Sequence, residues 1–190
     1  MKRILPGLLF VLFLSSCAAE IPRHTDLHPA LPDRIEQQYA QEDSGFAITG
    51  KDARPYADTV TFTIGSDPVI RLTNRPAPET LVADLLSLGW QKQGLIVYPT
   101  APTHLTVIID ELLVEVTKPK ALYKTVTTSK IRLMAQKNAT TLTRTFTRES
   151  SGETLRRPEL PVLEKGLNDQ LTDIIAQILG DREISAVIGK

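Results

Sequence analysis

The chain has 190 residues, and its 22 lysines and arginines balance 22 aspartates and glutamates, so the formal net charge is zero. This balance excludes the strongly basic surface that nucleic-acid-binding proteins use, and we expect no nucleic-acid partner. Cys17 is the only cysteine. An intrachain disulfide is therefore impossible, and the fold must be stabilised by a hydrophobic core.

The amino terminus has the pattern of a lipoprotein signal. Lys2-Arg3 precedes an apolar run from Ile4 to Leu14, and Ser15-Ser16-Cys17 ends it. The run is about half of the roughly 20 residues that a membrane-spanning helix needs. We therefore predict a signal peptide over residues 1–16, cleavage between Ser16 and Cys17, and lipidation of Cys17.

The predicted lipid fixes the location of the protein. More than one acyl chain, such as palmitate, gives stable anchoring, at about 0.8 kcal/mol for each buried methylene. Residue 18 is alanine and not the aspartate that usually retains a lipoprotein at the inner membrane. We expect an outer-membrane protein that faces the periplasm. Loss of Lys2 and Arg3 leaves 20 cations against 22 acidic residues, a net charge of −2.

Residues 17–44 are predicted to be the lipidated cysteine and a flexible periplasmic tether. Pro22, Pro29 and Pro32 interrupt any periodic pattern in this polar stretch. As a flexible coil of about 27 residues it would have an r.m.s. reach of roughly 30 Å.

Two histidines in the tether, His24 and His28, flank Asp26 and would share a face if they lay on a helix. The neighbouring prolines argue against that helix. We predict no metal site and no cofactor.

Residues 45–190 are predicted to form a single domain that begins with three short strands and a helix. The strands lie over 45–49, 59–64 and 69–72, the second of which alternates apolar residues with threonines. The helix follows Asn74, a candidate cap, carries Leu81, Leu85 and Leu88 on one face, and stops at Gly89.

The middle of the chain is richest in strands. A short strand over 95–98 precedes a long one over 104–117, whose apolar positions change parity part-way. A bulge at Asp110-Glu111 would return all of them to one face. Two further strands, over 124–137 and 140–148, form a hairpin that turns at Lys137-Asn138.

A helix over 161–179 has Leu163, Leu167, Leu171, Ile174 and Ile178 on one face. Asp181 is a candidate cap for a short terminal helix. The order of elements predicts an α+β fold, a mostly antiparallel sheet with two amphipathic helices on one face.

Four features occur in one order: Leu14-Ser15-Ser16-Cys17, the strand beginning near Phe46, the triplet Asp52-Ala53-Arg54, and the helix ending Leu88-Gly89-Trp90. In these features the chain resembles the YajG family of bacterial lipoproteins, from Met1 to about Ile188. The resemblance implies an outer-membrane lipoprotein with a small periplasmic domain, and it supplies no catalytic residues.

Asp52 and Arg54 are the first candidates for a ligand-binding site. One interpretation is a charged pair at a strand end, offered to a polar ligand. The other, which we favour, is a turn in which Asp52 accepts hydrogen bonds from nearby amides and Arg54 packs over the sheet edge.

A second candidate is a basic cluster of Arg144, Arg148, Arg156 and Arg157. Arginine forks match the carboxylates of peptidoglycan stems or lipid phosphates. A solvated sheet face offset by nearby glutamates is the interpretation we favour. The threonine-rich strand also offers an edge for strand addition by a partner.

Catalytic motifs are absent from the sequence: it has no Gly-x-Ser-x-Gly, no HExxH and no glycine-rich phosphate loop. Asp110 and Glu111 would point to opposite faces of a regular strand, and a bulge could bring them together. The interpretation we favour is structural, in which the pair ends one phase of the strand, and we predict a non-enzyme.

The predicted function is a non-enzymatic lipoprotein that binds or scaffolds an envelope protein or peptidoglycan. An auxiliary lipoprotein of a lipid or lipopolysaccharide transport machine is the alternative, which requires an apolar groove between helix and sheet. A periplasmic hydrolase is the third possibility.

Overall fold

The structure is a computed structural model that describes residues 24–39 and 45–189. The predicted signal peptide, cleavage site and lipidated Cys17 lie outside the described residues. The described ranges contain eight strands and three helices: β1 His24–Thr25, β2 Gly45–Asp52, β3 Asp58–Thr63, β4 Ile70–Asn74, α1 Pro78–Lys92, β5 Ile96–Val97, β6 Thr103–Thr117, β7 Tyr123–Lys137, β8 Thr140–Thr154, α2 Leu160–Leu179 and α3 Arg182–Ile188.

The strands form one mixed sheet organised around β6. On one side β7 pairs antiparallel with β6, and β8 pairs antiparallel with β7. On the other side β2 runs parallel to the first half of β6 and β3 runs parallel to its second half. β4 pairs antiparallel with β3, whereas β5 and β1 are short parallel additions. The helices pack on one face, which confirms the predicted α+β class.

The predicted bulge in the long central strand is confirmed. The pairing of β6 with β7 shifts register between Ile109 and Glu111. As a result, the apolar residues before and after the shift all lie in the core: Leu105, Val107, Ile109, Leu112, Val114 and Val116. The predicted hairpin turn is also confirmed, since Lys137 pairs with Thr140 and Asn138 adopts φ 53° in the left-handed region that asparagine tolerates.

Helices α2 and α3 match their predicted patterns. The predicted apolar face of α2 is buried from Leu163 to Ile178. The carboxylate of Asp181 caps α3 by accepting hydrogen bonds from the amides of Glu183 and Ile184, at 2.9 and 3.1 Å.

Helix α1 differs from its prediction at both ends. Its N-cap is Ala77, and Asn74 instead donates to the main-chain oxygen of Pro76 at 2.7 Å. The helix continues past Gly89 to Lys92. That glycine lies against Leu179 of α2 and leaves room for the two helices to approach. The buried stripe consequently shifts to Val82, Leu86 and Trp90, and Leu88 is 45% exposed.

Residues 24–39, which we name the strap, correct the prediction of a flexible tether over this part of residues 17–44. The main-chain amides of Asp26, His28 and Ala30 donate to the side chains of Glu164, Asn168 and Thr172 of α2, at 2.9, 2.8 and 2.9 Å. Thr25, Leu27 and Pro29 alternate with these residues and are buried. The prolines do not make this segment flexible, because it is extended and its alternate main-chain amides donate hydrogen bonds to side chains of α2.

The histidines of the strap do not converge. The Nδ1 atom of His24 lies 2.8 Å from the Oγ1 atom of Thr73, whereas Nε2 of His28 lies 3.1 Å from a carboxylate oxygen of Asp26. Within residues 24–39 and 45–189, no group of three or more potential ligands is arranged to hold a metal ion. No helix in these ranges is long and apolar enough to cross a membrane.

Candidate functional site

Asp52 and Arg54 form a two-point ion pair at the end of β2. Nε and Nη2 of Arg54 donate to the two carboxylate oxygens of Asp52, at 3.0 and 2.8 Å. The remaining terminal nitrogen, Nη1, donates to the main-chain oxygens of Asp58 and Leu112, at 3.1 and 3.2 Å. The Arg54 side chain is only 4% exposed, so the guanidinium is an internal group of the sheet.

The position of Arg54 explains why it is buried. β2 and β3 lie end to end along β6, and the loop that carries Arg54 separates them opposite the bulge. Main-chain oxygens at such a break lose their ladder partners, and a buried unpaired carbonyl is costly. The Arg54 guanidinium supplies donors to two of these oxygens and so continues the hydrogen bonding across the break.

The ion pair changes the acidity of Asp52. The side-chain hydrogen bond from Arg54 lowers the pKa of Asp52 below its usual value of 3.8; partial burial opposes this, and the Arg54 amide and positive charge assist it. Both side chains are thus engaged with each other and with the backbone. Their geometry supports the turn interpretation, and a ligand-binding role for them stays a prediction.

A groove of about 440 Å³ lies beside this ion pair, on the sheet face opposite the helices. Its walls come from the loop before β3, from β3, β4 and the second half of β6: Arg54, Tyr56, Thr61, Val69, Arg71, Asp110, Glu111, Leu113 and Glu115 line it. Tyr56 is 70% exposed and Val69 is 45% exposed. Two large apolar groups are therefore presented to solvent at one concave site.

Some charged side chains of this groove have ion-pair partners and others do not. Arg132 holds Asp110 with contacts of 2.7 and 3.2 Å, and Arg71 lies 3.7 Å from Asp58. Glu111 and Glu115 are exposed and have no ion-pair partner among the described residues, although Lys130 lies opposite Glu111 in the register of β7. The groove therefore presents two free carboxylates on either side of Leu113. Alternation after the predicted bulge places both glutamates on one face, but the sequence singled out Glu111 only as the neighbour of Asp110 and did not single out Glu115.

Arg144 and Arg148 point toward the helices, although their side chains are 42% and 37% exposed. Nη1 of Arg144 lies 3.0 Å from Glu183, and its Nη2 lies 3.2 Å from Asp181. The Nε atom of Arg148 lies 3.7 Å from Asp173 of α2. These contacts tie β8 to α2 and α3, and a ligand-binding role for either arginine stays a prediction.

Arg156 and Arg157 lie apart from that pair, in the loop between β8 and α2. The guanidinium carbon of Arg157 lies 4.3 Å from the centre of the Phe62 ring, a cation–π distance. The structure therefore divides the four predicted arginines between a helix-facing pair and a loop.

The structure also shows the position of the threonine-rich strand edge and of a cleft between sheet and helix. β8 pairs only with β7 among the described strands, so its outer edge, which includes Thr143 and Thr145, is unpaired in the sheet. A cleft of about 250 Å³ lies between the sheet and the start of α2, lined largely by threonine, serine and glycine. Its volume is near the roughly 300 Å³ lower bound of small-molecule sites, and a lipid-transport role stays a prediction.

A solved structure with a TM-score above 0.5 shares this fold at low identity, and two others show a weaker likeness. A DUF330-family protein from Xanthomonas campestris has a TM-score of 0.54 and 11% identity, over 84% of this chain and 90% of that chain. A Helicobacter pylori protein described as a neuraminyllactose-binding hemagglutinin homolog has a TM-score of 0.49 and 10% identity, over 85% and 95%. Lipoprotein GNA1162 from Neisseria meningitidis has a TM-score of 0.33 and 10% identity, over 69% and 99%.

Sequence comparison identifies the family. No curated protein matches the chain significantly. A family model described as an uncharacterized lipoprotein matches residues 29–189, which is most of the strap and the whole of the folded domain. The chain therefore belongs to this family of uncharacterized lipoproteins, the YajG type that its sequence resembles.

Proposed function

We propose that the protein is anchored by lipid on Cys17 to the periplasmic face of the outer membrane, where it binds or scaffolds another envelope component without catalysing a reaction. Membership of a lipoprotein family and the signal ending at Cys17 support the anchor. The absence of aspartate at position 18 supports the outer membrane.

The groove beside Arg54 carries the binding proposal. Its volume of about 440 Å³ falls within the range of ligand sites, and it combines exposed apolar groups with the free carboxylates of Glu111 and Glu115. Such a site suits a polypeptide segment that offers an apolar side chain and a lysine or arginine. Peptidoglycan stems carry carboxylates, which these glutamates would repel, so an envelope protein is the partner that we propose.

Photo-cross-linking in intact cells tests this site. A photo-reactive amino acid replaces Tyr56 at the groove, and a matched probe replaces Thr143 on β8, on the same face of the sheet and outside the groove. We expect the probe at position 56 to capture one envelope protein in high yield and the probe at position 143 to capture little. Equal capture from both positions would show that the groove is not the binding site.

Charge reversal tests whether the groove binds the captured protein or only lies near it. Glu111→Lys with Glu115→Lys removes the two free carboxylates, and we expect it to abolish the cross-link from position 56 while the protein stays in the membrane fraction. Glu149→Lys with Glu153→Lys is the matched control, because it makes the same change of charge at two exposed glutamates of β8 outside the groove, and it should retain the cross-link. Capture that is insensitive to both variants would contradict the proposed charge recognition.

A further inference from the structure

Three loops meet at one end of the sheet, which we name the basal end: residues 64–69, 118–122 and 155–159. The strand register places them together, because Thr63 pairs with Thr117, Thr117 with Lys124, and Tyr123 with Thr154. The turn between β7 and β8 lies at the opposite end, about 50 Å away along a strand of this length.

The chain enters the fold from the basal end. β1 runs parallel to β4, and β4 begins beside the basal end because Ile70 pairs with Phe62. The strap also runs in the direction of α2, as Asp26, His28 and Ala30 meet Glu164, Asn168 and Thr172 in turn. Two independent pairings thus set the direction of the strap, whose first residue, His24, lies on the side of the basal end.

The reach of the chain before His24 is short. Seven residue steps separate Cys17 from His24. Even when fully extended they span no more than about 24 Å. His24 is in register with Thr73, three residues beyond Ile70, which is about 10 Å from the start of β4. A lipid on Cys17 would therefore hold the basal end close to the headgroups.

The basal end has the chemistry of a surface that contacts anionic lipid. The three loops carry four cations and two carboxylates: Lys118, Lys120, Arg156 and Arg157 against Asp67 and Glu159. None of these four cations has an ion-pair partner in the part of the chain that the structure describes, while Lys118 and Arg157 lie over the rings of Tyr123 and Phe62. Leu155 is 81% exposed and Leu122 is 36% exposed among them. Cations interspersed with exposed apolar side chains favour a membrane interface.

We propose that the basal end docks onto the anionic phospholipid surface of the membrane that holds the lipid anchor. This inference rests on the proposed anchoring at Cys17. Docking fixes the long axis of the sheet along the membrane normal and turns the β7–β8 turn away from the bilayer. The groove then opens sideways into the periplasm, where a partner can reach it.

Site-specific fluorescence on the lipidated full-length protein tests the docking. Leu155→Cys at the basal end and Ala139→Cys in the β7–β8 turn each receive an environment-sensitive probe, since the lipid occupies the thiol of Cys17. The protein is reconstituted into vesicles of equal parts phosphatidylglycerol and phosphatidylcholine, with and without a quencher-labelled lipid. We expect the Leu155→Cys probe to shift to the blue and to be quenched, while the Ala139→Cys probe shows neither change.

Charge variants test the anionic requirement. Lys120→Gln with Arg156→Gln should lower the ratio of docked to undocked protein by about tenfold or more, because each cation near an anionic surface contributes to binding. Lys92→Gln with Arg182→Gln removes two exposed cations from the opposite end and should leave quenching unchanged. Vesicles of phosphatidylcholine alone, or molar salt, should also weaken the signal.

Vesicle flotation distinguishes failure of the docking from failure of the anchor. If the protein floats with the vesicles but the Leu155→Cys and Ala139→Cys probes are both quenched equally little, the docking is contradicted and the anchor is not. Protein that does not float overturns the anchor and the docking together. Quenching that is equal in anionic and neutral vesicles overturns the proposed lipid chemistry.

Discussion

Arg54 donates a hydrogen bond to the main-chain oxygen of Leu112, 3.2 Å away on the central strand, from the loop that interrupts β2 and β3. The bulge that keeps the apolar side chains of β6 in the core lies opposite the same break. The break between β2 and β3 and the bulge of β6 thus lie at the same place in the sheet. Asp52 holds the guanidinium in the orientation that this bridging requires.

Arg54→Ala should destabilise the protein by about 2–3 kcal/mol, because it leaves main-chain oxygens and the Asp52 carboxylate without their donors. Chemical denaturation of the purified protein measures the free energy of unfolding. Arg71→Ala is the matched control on the neighbouring strand: its side chain is 58% exposed and its ion pair spans 3.7 Å, so we expect a loss within about 0.5 kcal/mol. Equal losses of unfolding free energy in the two variants would contradict the bridging role of Arg54.

The stability contributed by Asp52 should depend on pH. Its folded pKa lies below the usual 3.8, so the unfolded chain binds a proton first as pH falls, and stability decreases. The contribution is complete well above pH 3.8 and is lost as pH falls through the lowered folded value. We expect the advantage of the wild type over Asp52→Asn to be constant between pH 5 and 7 and to shrink below about pH 4. Urea unfolding at each pH measures both proteins, and an advantage that grew in acid would contradict the sign.

The strap should be an integral part of the domain. Leu27 is fully buried, and Leu27→Ala should cost about 2–4 kcal/mol of unfolding free energy. Limited proteolysis should cut the variant within residues 24–39 sooner than the wild type, since the extended segment loses its apolar anchor. Leu155→Ala, at an 81% exposed position, should change neither stability nor cleavage in the absence of membranes. Rapid cleavage of the wild-type strap would show that the segment is not held.

Two glycines should respond to alanine with opposite signs. A Cβ at Gly50 of β2 would meet the main-chain oxygen of Glu79 in α1 inside contact distance, so we expect Gly50→Ala to cost about 1–3 kcal/mol. Gly166 lies inside α2 with no atom within 4 Å of the added carbon, and Gly166→Ala should stabilise the protein by about 0.5–1 kcal/mol. Thermal unfolding of both variants decides the comparison, and a stabilised Gly50→Ala would contradict the close packing of α1 on β2.

Local patterns predicted the long elements well. The parity change within β6 required a bulge, and the apolar spacing of α2 and the candidate cap at Asp181 both correspond to observed contacts. Such features depend on residues that are near each other in sequence. The sequence could not show that Arg144 pairs with Asp181, because that contact depends on how β8 is placed beside α3.

The strap and the groove escaped prediction for the same physical reason. Leu27 and Pro29 are buried in an extended segment whose alternate amides donate hydrogen bonds to side chains of α2. The groove combines Tyr56, Val69 and Glu115, which come from a loop and two different strands. Long-range pairings create both features, and no local periodicity encodes those pairings.

The most direct test of the account is mass spectrometry of the mature amino terminus, on protein recovered from the outer-membrane fraction. Trypsin should release a peptide that begins at Cys17, ends at Arg23 and carries the mass of the attached acyl chains. Cys17→Ala should yield no such peptide. Recovery of an unmodified Cys17, or of a peptide from within residues 1–16 on the mature protein, would contradict the lipid anchor on which the proposed function and the membrane docking depend.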